Sequence, residues 1–272
     1  MLSSPVPEPA DFYAREYVTF GQVHERALRL AGWLREHGVV QGSRVSVGGA
    51  NSTGWVVAFT AVHLLGAVPV FLNSTLVIDA QVHCLTKTKP QFSLIDAQLA
   101  QVLAPRADEL KAKGVGPLLC WSSVAHLDPV TRKHVADMSD PRPSARSVRD
   151  VVDGTCIHNL GPESDGIIFF TSGTTSMPKA VLSTQRSALH SVLSAQISSV
   201  REFLRHGKNF SDLPEQGPVP TLLAIPMFHV TGCLSWLLRF FRTGSKAVFM
   251  RKWNVGDAIK LIQDENIKIV GG

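Results

Sequence analysis

"WVVAFTAVHLLGAVPVFL", residues 55–72, decides the fold, because it is long and apolar enough to be weighed as a membrane span. Thr60 and His63 interrupt it, and Gly66 and Pro69 fall where a spanning helix would have to continue. The same residues also read as a buried helix to about Leu65, a break, and a buried strand "VPVFL". Short apolar runs cut by Gly and Pro are the pattern of parallel-sheet proteins, whose strands are covered on both faces. We therefore read the stretch as one helix–strand unit of a core and expect no transmembrane segment.

The alternation continues on both sides. Upstream, Thr19 is placed to cap a helix in which Val23, Ala27, Leu30 and Leu34 recur at steps of four, three and four, with Glu25 and Arg29 pairing on the wet face and Gly38 ending it. The strand "RVSVG" follows. Downstream come a helical pattern around 77–88, the strand "FSLID", a helical stretch to about Lys113 and the strand "PLLCW". Helices between strands imply right-handed crossovers and largely parallel sheets, so the class is α/β.

Residues 1–121 thus hold the first strand–helix units. Residues 122–164, with "SDPRPSARSVRD" in the middle, lack periodicity and read as an irregular, solvated connection. From 165 to 272 the rhythm resumes: strand "GIIFFT", a helix over 185–205, a turn-rich loop, strand "TLLAI", a helix around 232–242, strand "KAVFM", a helix from about Val255 to Glu265, and strand "IKIV".

Composition narrows the function. With 44% apolar and 18% charged residues the chain is ordinary globular protein. A net charge of +5 is spread along the chain and not interleaved with aromatics, so no nucleic-acid partner is expected. Cys84, Cys120, Cys156 and Cys233 form no C-x-x-C pair and the histidines no ligand spacing, which argues against a metal site or a disulfide framework and for a reducing compartment. The N-terminus carries no secretory pattern, so an intracellular protein is expected.

"FFTSGTTSMPKAV", residues 169–181, carries the chemistry. A strand that runs into Thr171, Ser172, Gly173, Thr174, Thr175 and Ser176 delivers backbone N–H groups and hydroxyls to one small volume. Gly173 permits close approach, and Pro178 fixes the cation of Lys179 beside it. That is a phosphate cradle, though neither a Walker loop nor a dinucleotide fingerprint. On composition alone, a Ser/Thr-rich turn without a ligand fits as well.

The order of residues goes further: "TSGTTSMPKA" resembles the phosphate-binding motif of the adenylate-forming (AMP-binding) superfamily, which includes acyl-CoA synthetases, luciferases and peptide-synthetase adenylation domains. Ser176 and Ala180 stand where the motif usually has glycine. "AIPMFHVTG", residues 224–232, is similar to the family's P-x-F-H-x-x-G segment, and "RVSVGGANSTGWVVAFTAVHLLGAVPVFLNSTL" to its early core, with an Asn after the strand.

The resemblance implies ATP-dependent activation of a carboxylic acid, a fatty or related acyl acid, to an acyl-adenylate and then to acyl-CoA. This is an acid–thiol ligase using ATP, Mg²⁺ and coenzyme A. Thr171, Ser172, Gly173, Thr174, Thr175, Ser176 and Lys179 would hold the phosphates; His229 would be the catalytic candidate, and Phe228, His229 and Gly232 would line the substrate. No metal ligand is assigned.

The resemblance also implies that 1–272 is part of a large N-terminal AMP-binding domain. The family's adenine, ribose and C-terminal lysine segments and its C-terminal subdomain do not occur in this sequence, so this chain alone is expected to be incompetent in adenylation. The alternative is a non-catalytic paralogue that binds nucleotide or acyl groups, or acts as an interaction module through the edge of "IKIV". Cytoplasmic and peroxisomal locations both fit, and oligomeric state is left open.

Overall fold

The computed structural model describes residues 1–6, 14–171, 177–209 and 218–271. In chain order its elements are β1 (Leu2–Pro5), β2 (Arg15–Val18), α1 (Phe20–Glu36), β3 (Arg44–Gly48), α2 (Thr53–Leu64), β4 (Val68–Leu72), α3 (Ile78–Thr88) and β5 (Phe92–Ile95). Then come α4 (Ala97–Leu103), α5 (Ala107–Ala112), β6 (Leu118–Cys120), α6 (Pro129–His134), β7 (Val135–Asp137), α7 (Ala145–Val152), β8 (Asp165–Thr171) and β9 (Lys179–Thr184). The last are α8 (Gln185–Arg205), β10 (Thr221–Leu223), a π-helical turn (Thr231–Leu237) running into α9 (Leu238–Thr243), β11 (Ala247–Phe249), α10 (Val255–Asp264) and β12 (Ile269–Gly271).

The strands form two sheets. One has the order β7-β6-β5-β3-β4-β8-β9, the other β12-β10-β11-β1-β2. Within the first, every described pair is parallel except β8 with β9, and within the second every pair is parallel except β1 with β2. The expected class, α/β with largely parallel sheets, is the class observed.

Residues 55–72 resolve as α2 and β4. Trp55, Val56, Ala58, Phe59, Ala61 and Val62 are all buried, so α2 is covered all round and needs no polar face. That accounts for its membrane-like composition. Gly66 closes the break at φ +61°, and among the described residues no helix is long and apolar enough to cross a membrane. Trp55 meets Phe71 at 5.0 Å between ring centroids, and Phe71 meets Phe169 edge-on at 5.0 Å. This aromatic row ties α2 through β4 to β8.

The α1 signals hold at both ends. Thr19 accepts from Gln22 N while Gln22 reaches back to the Thr19 N–H, a reciprocal capping box, and Gly38 takes φ +86°. Val23, Ala27, Leu30 and Leu34 are buried as expected. The Glu25–Arg29 pair is corrected: Arg29 pairs with Asp140 instead.

The stretch 122–164 is also corrected, because it is not an irregular connection. It contains α6, β7 and α7, and β7 extends the larger sheet beside β6. Two helices of six and eight residues and a strand of three are too short to show a period. The segment is held to α1 by polar contacts: Arg35 pairs with Asp150 at 2.6 Å, and Glu36 accepts from Ser144 N at 2.7 Å and Ser147 Oγ at 2.9 Å. Gly32 on α1 sits against Pro143, where a Cβ would approach the proline Cβ to 3.0 Å.

Candidate functional site

Thr171 ends β8 and Lys179 begins β9, and the two are paired directly opposite each other in the antiparallel register. Their strands are rooted differently. On β8, Ile167, Ile168 and Phe169 are buried, while β9 is exposed along Lys179–Leu182. Pro178 is buried, so the residue before Lys179 anchors the returning strand with its φ already fixed. Both Thr171 and Lys179 are exposed. The expected cradle residues Ser172, Gly173, Thr174, Thr175 and Ser176 lie outside the described residues. Ala180, one of the two departures from the glycine pattern, pairs with Phe170 as ordinary strand and needs no left-handed backbone.

The second motif is built around Asn51, buried just beyond the carboxyl end of β3. Its side-chain oxygen accepts from Met227 N at 2.8 Å, and its amide donates to Ile225 O at 2.9 Å and Leu223 O at 3.4 Å. One side chain thus joins the end of a strand in the larger sheet to the end of β10 in the smaller. After it, His229 N donates to Pro226 O at 3.1 Å in a tight turn. A Cβ on Gly232 would lie 2.2 Å from Pro226 O, so only glycine fits there. Phe228 is buried and its ring lies 4.9 Å from that of His229, which is itself exposed.

The π-helical turn begins two residues after His229, and such turns favour positions where side chains are re-aimed. Cys233 within it is buried, which pushes its thiol well above the usual range and leaves it an inert core residue.

The two motifs sit on neighbouring elements. The helix that follows the hairpin, α8, is capped by Thr184 accepting from Ser187 N. Its Ser191 Oγ donates to Leu234 O at 3.3 Å in the π-helical turn. The hairpin that carries Thr171 and Lys179 and the π-helical turn that follows His229 thus both pack on α8. The described part of the arrangement is an exposed cation, Lys179, at the start of β9 and an exposed imidazole, His229, with the buried ring of Phe228 beside it. Among the described residues no group of three His, Cys, Asp or Glu comes together. Asn51 was recognisable in sequence only as an Asn after a strand; its bonds to residues more than 170 positions away carried no sequence signal.

The family model described as "AMP-binding enzyme" matches residues 5–272. Among curated proteins, the chain is 25% identical to the fatty acid–[acyl-carrier-protein] ligase ScoC of Streptomyces coeruleorubidus, over 95% of this chain and 44% of that protein. It is 22% identical to a long-chain-fatty-acid–CoA ligase of Bacillus subtilis, over 92% of this chain and 44% of that protein. The chain therefore spans less than half the length of these relatives. Among solved structures, the luciferase-like enzyme of the mealworm Zophobas morio superimposes with a TM-score of 0.71 at 21% identity, covering 96% of this chain and 53% of that one. O-succinylbenzoate coenzyme A synthetase (MenE) of Bacillus subtilis, in complex with ATP and magnesium ion, does so with a TM-score of 0.63 at 21% identity, covering 94% and 44%.

Proposed function

The chain belongs to the AMP-binding enzyme family, and from its site we propose that it serves the ATP-dependent activation of a carboxylic acid. The acid's carboxylate oxygen attacks the α-phosphorus of ATP, pyrophosphate leaves, and the acyl group of the resulting adenylate passes to the thiol of coenzyme A with release of AMP. The observation that carries this reading is the pairing of Thr171 with Lys179, which brackets the loop between them with a hydroxyl on one side and an ammonium on the other.

Two anions have to meet in such a reaction, so fixed donors and a cation that neutralise the phosphates are worth most where charge develops. Lys179 supplies that cation, and Thr171, with Ser172 to Ser176, supplies hydroxyl and N–H donors. Mg²⁺ bound through ATP's phosphates, as is usual for this ion, would add charge neutralisation there. Phe228, buried behind the exposed His229, offers an apolar wall for the acid, and His229 a polar group beside its carboxylate. A fatty or related acyl acid is the favoured substrate class, in keeping with the names of the two curated relatives.

The test is ATP–pyrophosphate exchange across a panel of aliphatic and aromatic acids, run on the endogenous protein captured from its source cells. Exchange that depends on one class of acid supports the reading. Nucleotide binding without exchange for any acid would reject acid activation and leave a nucleotide-binding module.

A further inference from the structure

A cleft of about 720 Å³ opens between the β1–β2 pair and α10, within the size range of small-molecule sites. None of Thr171, Lys179, Phe228 and His229 lines it. Its walls are apolar, from Val6, Tyr17, Met250, Trp253 and Leu261. Its floor is charged. Arg15, only 12% exposed, donates from Nε to Ser3 Oγ at 2.7 Å and from Nη2 to Ser3 O at 2.8 Å and Phe249 O at 2.9 Å. Its Nη1 makes no hydrogen bond among the described residues.

Glu265, the carboxylate that meets Arg15 among the described residues, is already engaged. Glu265 accepts from Ser3 Oγ at 2.8 Å and from Tyr17 OH at 2.8 Å, and pairs with Lys246 at 2.5 Å; Arg15 Nε stands 3.6 Å away. Among the described residues two cations, Arg15 and Lys246, thus face this single carboxylate under apolar walls. At the rim Arg251, Lys252 and Lys260 outnumber Asp257 and Asp264. A largely buried cation with a donor that has no partner among the described residues selects an anion, and the walls select an apolar body for it.

We propose that this cleft binds an amphipathic monoanion, a carboxylate with an aliphatic or aromatic body, with its head on Arg15 and its body against Met250, Trp253 and Leu261. The site shares no residue with the phosphate-loop region and stands whether or not that reading does.

The experiment titrates the 272-residue chain with decanoate and with decanol by calorimetry, and maps a diazirine analogue of decanoate by cross-linking and peptide mass spectrometry. Decanoate is expected to bind about tenfold more tightly than decanol, since the two differ only in the group that meets Arg15. Label is expected between residues 250 and 261. Trp253→Ala, at a side chain half exposed and so tolerant of change, is expected to weaken both ligands. Arg15→Gln is expected to erase the difference between them; should that variant fail to fold, the ligand pair and the label still decide. Equal affinities, an unaffected Trp253→Ala, or label confined to residues 226–237 would overturn the proposal. The last outcome would place the acid beside Phe228 and His229 instead. Lys179→Ala is expected to leave decanoate binding unchanged, which separates this cleft from the nucleotide reading.

Discussion

Thr171 faces Lys179 across β8 and β9 in the antiparallel register, with the buried Pro178 directly before the lysine. An exposed lysine at that position contributes little to stability, so its charge matters chiefly to what the loop holds. Lys179→Ala is expected to leave the unfolding free energy within about 0.5 kcal/mol of the parent while weakening ATP binding about tenfold. Paired urea denaturation and calorimetric titration check both parts.

Asn51 is different, because it satisfies backbone groups from another sheet. Asn51→Ala strips partners from the buried Met227 N–H and the part-buried Ile225 carbonyl. A loss of about 2–4 kcal/mol is expected. Asn51→Asp keeps the acceptor for Met227 N but loses the donor to Ile225 O and buries a charge, so it is not expected to rescue. Urea denaturation of both variants reads this directly.

Gly232→Ala places a Cβ where Pro226 O already stands. The turn that carries Phe228 and His229 has to open, at an expected cost of about 1–3 kcal/mol. His229→Ala, at an exposed side chain, is expected to cost almost nothing in stability and to act on use of the acid alone. Thermal melts of the two variants separate a fold effect from a site effect.

His63 gives the fold an acid-sensitive window. It closes α2 against the Phe59 ring, 4.4 Å away between centroids. Desolvation depresses its pKa from the ordinary 6.5 to about 4, against a smaller opposing effect from its bond to Phe59 O. The folded value lies below the unfolded one, so the unfolded chain takes up the proton first. Stability is therefore full above pH 6.5 and falls as pH drops toward 4. His63→Gln is expected to flatten that part of the stability–pH curve by on the order of 1–2 kcal/mol, measured by urea denaturation at pH 7 and pH 4.5.

Much of the fold was legible because its signals were local. The α1 cap and stop, the break at Gly66 and the long β8 all announce themselves within a few residues. What was missed depends on partners far away. "LSSP" of β1 shows no strand pattern. It pairs as a strand because β11 and β2 lie on either side of it, with the Ser3 hydroxyl satisfied by Glu265. The exposed β9 borrows its conformation from β8, so "KAVLST" alone offered no buried face to read. Arg29 has an acidic neighbour at helical spacing and still chose Asp140, because α7 and its preceding loop bring that carboxylate to α1. Motif order singled out Phe228, His229 and Gly232, and steric crowding against Pro226 explains the glycine. Asn51, which fixes their position, is tied in by bonds that only the folded chain creates.

The central claim is that the loop between Thr171 and Lys179 holds a polyphosphate. The most direct measurement is calorimetric titration of the parent chain and Lys179→Ala with ATP·Mg²⁺ and, separately, with inorganic tripolyphosphate. The expected result is binding of both ligands by the parent and a loss of about tenfold for both in the variant. Equal binding by parent and variant, or no binding of tripolyphosphate by the parent, would contradict it.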